Sequence, residues 1–234
     1  MAAFPVVPLD VVTGGRTALI LAPHADDESL GCGGLIATAV AAGQPPFVLI
    51  LTDGTGSHPH SARYPPARLK ALREAEARAA VELLGLPADR IGFLGLTDTA
   101  SPMEGHDFQI AVGDILKTAG ACGAATVLAP WEHDPHGDHL SAHRMAQAVA
   151  GRGRLRHLAY PVWGWMLPAD RMLPGEKPQG YQLDISFWAA AKQAAIGAHA
   201  SQYSDLIDDD PQGFRLPPGL LTAFSRPYET FVMP

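Results

Sequence analysis

Five short apolar runs alternate with helix-patterned segments over residues 17–160, and this alternation narrows the possible folds more than any other feature. The runs are Thr17–Ala22, Phe47–Leu51, Ile91–Leu94, Thr126–Ala129 and Leu155–Tyr160. Each is predominantly apolar, the pattern of a strand buried on both faces. Between them, 30–42, 66–84, 109–119 and 139–150 read as helices. Leu69, Leu72, Ala75, Ala79 and Leu83 show the helical spacing, and Gly43, Gly85 and Pro87 supply stops. Strands alternating with helices predict βαβ units, so the expected fold is α/β and Rossmann-like, a mostly parallel sheet with helices on both faces.

Beyond residue 160 the pattern changes. Residues 161–183 hold Trp163 and Trp165 among prolines and glycines, which predicts a loop or hairpin excursion. Ser186–Ala200 predicts one more helix, 205–219 a loop, and Phe224–Val232 a closing strand. With no repeat or low-complexity linker, a single domain over 1–234 is expected.

Seventeen Lys and Arg against 24 Asp and Glu leave a net charge of −7 with no basic cluster. Nucleic acid is therefore excluded as a partner, since phosphate neutralisation supplies most of that affinity. Cys32 and Cys122 are too few and too far apart for a disulfide framework or a cysteine zinc site. The opening residues lack the pattern of a signal peptide, and no apolar run reaches the ~18 residues of a membrane helix. A cytoplasmic protein without a stable membrane anchor is expected.

Two clusters carry chemistry. The first, His24-Ala25-Asp26-Asp27-Glu28, follows the first strand, and parallel sheets bind ligands beyond the carboxyl ends of their strands. His24 and Asp27 can converge on one metal, with Asp26 directed at a water. The second, His133-Asp134-Pro135-His136-Gly137-Asp138-His139, follows the fourth strand. Either His136 or His139 can complete a two-histidine, one-carboxylate set, and the other is then free to act on substrate. Three protein ligands with one open position is the catalytic zinc arrangement. Helix capping alone would account for Asp26, Asp27, Ser29 and Asp138, but it leaves the paired histidines unexplained.

These clusters resemble the His-Pro-Asp-Asp-Glu and His-Pro-Asp-His signatures of the LmbE-like, or PIG-L, N-acetylglucosaminyl deacetylases. Supporting marks are Leu51-Thr52-Asp53-Gly54, Arg73-Glu74-Ala75-Glu76, Leu94-Gly95-Leu96-Thr97-Asp98, Lys192 and His199-Ala200-Ser201-Gln202. Ala25 and Gly137 stand where the family motifs have proline, at positions that bind no metal. The resemblance implies that His24, Asp27 and His139 bind Zn²⁺, with Fe²⁺ as the alternative. It further implies Asp26 as general base and His136 as oxyanion stabiliser or proton donor. Asp98 and Arg73 are implied substrate contacts, and the substrate an N-acetylated amino-sugar conjugate hydrolysed to amine and acetate. The loops 53–66, 99–108 and 161–183 are expected to set specificity, and a homo-oligomer is compatible with the excursion.

Three other readings compete. One is a metal-dependent amidohydrolase acting on a different N-acyl group. Another is a nucleotide-binding module, suggested by Gly31-Cys32-Gly33-Gly34; yet these glycines come after the acidic loop, whose aspartates would repel a pyrophosphate. The third, a metal-holding protein without turnover, leaves Asp26 without a purpose.

Overall fold

The computed structural model describes residues 4–168, 171–173, 175 and 177–234. One sheet contains β1 (Ala18–Ala22), β2 (Phe47–Thr52), β3 (Ile91–Leu96), β4 (Thr126–Pro130), β5 (Arg156–Tyr160), β6 (Gln179–Asp184) and β7 (Tyr228–Met233). Its order is β3-β2-β1-β4-β5-β7-β6. Strands β1 to β5 run parallel, and β7 lies antiparallel between β5 and β6. The helices are α1 (Leu9–Thr13), α2 (Asp27–Ala41), α3 (Pro66–Leu83), α4 (Gly105–Cys122), α5 (Gly137–Gly153), α6 (Ala189–Ala198), α7 (Ala200–Tyr203) and α8 (Pro218–Ala223).

The period-2 alternation of β1 builds both layers. Ala18, Ile20 and Ala22 pack in one cluster with Leu35 of α2, Ala77 of α3 and Ile196 of α6. Leu19 and Leu21 pack in the other with Ile115 of α4 and Met145 of α5. From β1 the chain winds outward through β2 to β3, and from β4 it winds the opposite way to β5. The loops after β1 and β4 therefore part at the carboxyl edge of the sheet, the place where such folds open a crevice.

The α/β architecture follows the sequence expectation, and the differences are local. Strand β6 lies at the end of the expected excursion. Gln179-Gly-Tyr-Gln-Leu-Asp184 has no apolar run because it is a sheet-edge strand, buried only at Gly180 and Leu183 and bridged by Val6. The closing strand begins at Tyr228, after the unexpected α8. Helix α2 begins at Asp27, so the acidic residues expected before the helix form its first turn. Residues 169, 170, 174 and 176 of the excursion lie outside the described residues. Gly137 is the first residue of α5, a position where proline is itself favoured, so the helix supplies the restraint that the motif departure removes.

Gly31, Gly33 and Gly34 lie buried inside α2, not in a strand-to-helix turn. A Cβ at Gly31 would sit 2.2 Å from the Tyr160 ring, and one at Gly34 2.4 Å from Ile185. These glycines serve close packing of α2, which removes the sequence basis for a phosphate-binding loop. The helix is also tied to β7. Glu229 accepts the Gly34 and Leu35 amides, both at 2.7 Å, and the Lys192 ammonium at 2.6 Å, all in the interior.

Two outcomes are expected. Gly31→Ala gains about 1 kcal/mol of helix propensity, but overpacking against Tyr160 costs about 1–3 kcal/mol. A lower urea midpoint at unchanged m-value should result. The second concerns His157, which stacks on His143 at 4.9 Å and has a buried Nε2 without a partner among the described residues. Burial, then the neighbouring His143, pushes its pKa from 6.5 down to about 4. Between these values the unfolded chain takes up a proton that the folded chain refuses, so stability falls as the pH falls through that window. His157→Phe should flatten the decline in denaturant titrations from pH 6.5 to 4.

Candidate active site

Both clusters reach the crevice because they follow adjacent strands, β1 and β4. The Asp27 carboxylate lies between two imidazoles, with Oδ2 3.3 Å from His24 Nδ1 and 3.3 Å from His139 Nε2. Each ring is fixed through its other nitrogen. His24 Nε2 donates to Asp138 Oδ2 at 3.1 Å, with Asp98 Oδ1 also 3.2 Å away. His139 Nδ1 donates to Asp134 Oδ2 at 3.0 Å. The inward nitrogens, His24 Nδ1 and His139 Nε2, are then the lone-pair atoms.

The donor types here suit a metal, although Asp27 belongs to neither group of side chains whose ligand atoms all lie within 4.8 Å of one another. His139 Nε2 is buried with no hydrogen-bond partner among the described residues. Four-coordinate bonds of about 2.0–2.1 Å place neighbouring ligand atoms roughly 3.3 Å apart, the separation found on both sides of Asp27. His24, His136 and His139 also bring ring nitrogens within 4.8 Å of one another, as do the donor atoms of His24, Asp98 and Asp138. In the latter set the carboxylates already accept backbone amides, Asp98 from Gly56 and Asp138 from Thr99 and Ser101. They act as outer supports of the His24 ring.

Burial lowers the pKa of His24, but Asp138, Asp27 and Asp98 outweigh it and raise the value well above the usual range. Burial likewise opposes the His139 proton, and Asp27 and Asp134 raise its pKa to about 9. Asp26 is raised to about 6 by burial and by the charge of Asp27, with Arg73 opposing. His136 is lowered, by burial first and then by His24 and His139. Its Nδ1 accepts the Asp138 amide at 3.2 Å, so the neutral ring carries its proton on Nε2.

A cavity of about 220 Å³ adjoins these groups. His24, Asp26, Asp27, Arg73, Asp98 and His136 line it, while His139 is fully buried behind Asp27. Gly56, Ser57, Thr99, Val162 and Trp163 bring all three expected specificity loops to its wall. Trp163 meets Phe214 edge-on at 5.8 Å, whereas Trp165 packs away from the cavity under Arg226. Arg73 donates to the carbonyls of Gly54 and Ala25, so much of its hydrogen-bonding capacity braces loops. His58, in the 53–66 loop, is buried. Its loop is fastened by Asp209, which accepts from Ser61 and Arg63, and by Asp210, which accepts the His60 amide.

Sequence reasoning assigned no task to Asp134, which also accepts the amides of Val162, Trp163 and Gly164. It also missed Gln202, Phe214 and Leu216 in the cavity wall. Asp134 stood inside the quoted second cluster, five residues before His139, but the amides it accepts lie 28–30 residues onward, where no local signal points to them.

The α/β fold with this His/Asp site at the switch of winding direction defines a class, and sequence comparison identifies it. Residues 19–150 match the PIG-L family, GlcNAc-PI de-N-acetylase, and the chain belongs to that family. It is 34% identical over 153 residues to 2'-N-acetylparomamine deacetylase of Streptomyces fradiae, covering 59% of this chain and 53% of that protein. The match thus spans about half the length of that relative. It is 28% identical over 240 residues to 1D-myo-inositol 2-acetamido-2-deoxy-alpha-D-glucopyranoside deacetylase of Rhodococcus opacus (strain B4), covering 80% and 82%. Its fold resembles that of N,N'-diacetylchitobiose deacetylase from Pyrococcus horikoshii, with TM-score 0.69, 23% identity and coverage of 94% and 84%. No helix among the described residues is long and apolar enough to cross a membrane.

Asp134→Asn leaves the His139 ring without its charged partner and should weaken the binding of an added divalent metal about 10–100-fold. Competition against a chromophoric chelator measures this.

Proposed function

We propose that the chain is a metal-dependent de-N-acetylase that hydrolyses the acetamide of an N-acetylated amino-sugar conjugate. The observation that carries this reading is the Asp27 carboxylate 3.3 Å from two oriented imidazole nitrogens, with the buried Asp26 carboxylate beside it at the cavity. His24, Asp27 and His139 are the proposed ligands. Zinc suits this nitrogen and oxygen set, and Fe²⁺ is the alternative. When bound, the ion would polarise the amide carbonyl and bring a coordinated water toward pKa ~7.

The chain's own groups move the protons. Asp26 accepts a proton from the attacking water and delivers it to the amine nitrogen as the carbon–nitrogen bond breaks. His136, through its Nε2 hydrogen, donates to the developing oxyanion. The products are the free amine and acetate, whose second oxygen comes from water. Asp98, held ionised by His24 and Arg73 against the effect of burial, is placed to receive sugar hydroxyls, with Arg73 beside it. At about 220 Å³ the cavity falls below the ~300–1,000 Å³ of drug-sized ligand sites, which favours one sugar ring with its acetamide. The amino-sugar substrates named for the Streptomyces and Rhodococcus relatives support the same class.

The test is acetate release by the zinc-loaded protein from free, phosphorylated and conjugated N-acetylglucosamine. Asp26→Asn should retain about one metal per chain and lose about 10²–10⁴-fold in kcat, the usual worth of a general base. Undiminished hydrolysis in that variant would end the assignment of Asp26. Full metal with no release from any conjugate would move the substrate to another N-acyl class.

A further inference from the structure

Asp26 sits at φ 154° and ψ −29°, a region that residues with a side chain rarely occupy. Two other described non-glycine residues have positive φ, Thr99 and Arg154. Arg154 is an ordinary left-handed cap at the end of α5, while Asp26 and Thr99 both line the cavity. Strained backbone at a site persists only where its surroundings fix it, so what fixes Asp26 matters.

The peptide joining Ala25 to Asp26 is gripped on both sides. Its carbonyl accepts from Arg73 Nη2 at 3.0 Å, and its N–H donates to Glu28 Oε2 at 3.0 Å. Both are charge-assisted bonds in the interior. Glu28 is itself locked, because Oε1 accepts from the Ser29 hydroxyl at 2.6 Å and from His199 Nε2 at 2.9 Å. Glu28 and His199 are both fully buried.

Helix capping accounts for only half of this. In a capping box the N-cap side chain bonds an amide of the first turn while a first-turn glutamate bonds back to the N-cap amide, and Glu28 makes the second of these bonds. Asp26 is the N-cap of α2, yet its carboxylate does not make the first of them among the described residues. Glu28 reaches back to the Asp26 amide, and the Asp26 side chain is left to face the cavity. Interaction with the helix dipole would equally be served by an exposed glutamate.

We propose that Glu28, locked by His199, is a positioning residue: with Arg73 it holds the 25–26 peptide in the orientation that aims the Asp26 carboxylate into the site. This rests on the reading of Asp26 as the base, but its first readout is structural and independent of turnover. Glu28→Ala releases the peptide, and its crystal structure should show φ of residue 26 relaxed to a negative value. Zinc content should stay near one per chain and KM within about twofold, while kcat falls about 10²-fold, the effect of a small misplacement of a reacting group. Glu28→Gln keeps an oxygen for the Asp26 amide and should restore the positive φ and most of kcat. Should Glu28→Ala fail to fold, Glu28→Asp replaces it. That variant keeps the charge beside His199 but is one methylene too short to reach the Asp26 amide as well.

A positive φ at residue 26 retained without the Glu28 contact would overturn the proposal. So would loss of zinc in step with kcat, which would place Glu28 in support of the metal site. If Asp26→Asn hydrolyses normally, the reading of Asp26 as base fails, while the backbone angle still decides whether Glu28 holds the peptide.

Discussion

A buried carboxylate is tolerable only with donors around it, since each uncompensated ion costs several kcal/mol. Asp26, Asp27, Glu28, Asp98, Asp134 and Asp138 are all buried around one crevice, and their compensation organises the surrounding chain. Asp134 gathers three consecutive amides of the 162–164 turn together with the His139 ring. Asp138 gathers the amides of Thr99 and Ser101 together with the His24 ring. Each of these carboxylates thus orients one imidazole and anchors one wall of the cavity. The position of the proposed ligands and the shape of the substrate site are consequences of the same bonds.

The central layer was legible in the sequence because buried parallel strands are apolar on both faces and announce themselves as short runs. The sheet edge was not legible, because β6 buries only Gly180 and Leu183 and leaves its Gln, Tyr, Gln and Asp partly or fully exposed. Helix α2 was read three residues short, since a first turn made of Asp27, Glu28 and Ser29 looks like a loop until its burial is known.

The site divides in the same way. The paired histidine clusters could be read locally because ligand spacing within a loop is a short-range property. The partners that meet them from far along the chain could not. Asp138 meets His24 across 114 positions and His199 meets Glu28 across 171, distances over which a sequence carries no spacing rule. The sequence placed Arg73 at the substrate. It does border the cavity, but only the structure shows it bracing the carbonyls of Ala25 and Gly54. Gly31, Gly33 and Gly34 show how a motif-like pattern can have a packing cause, since the Tyr160 ring and Ile185 occupy the space that side chains would need.

The tie between Glu229 and α2 has a consequence for how the molecule is made. The amides of Gly34 and Leu35 and the ammonium of Lys192 find their carboxylate only on β7, 195 positions after Gly34. A chain leaving the ribosome has therefore exported both histidine loops long before the strand that completes this contact. Contacts of such long sequence separation form slowly, and the intermediates that await them expose apolar surface. Burial of this part of α2 is accordingly completed only after β7 has been made.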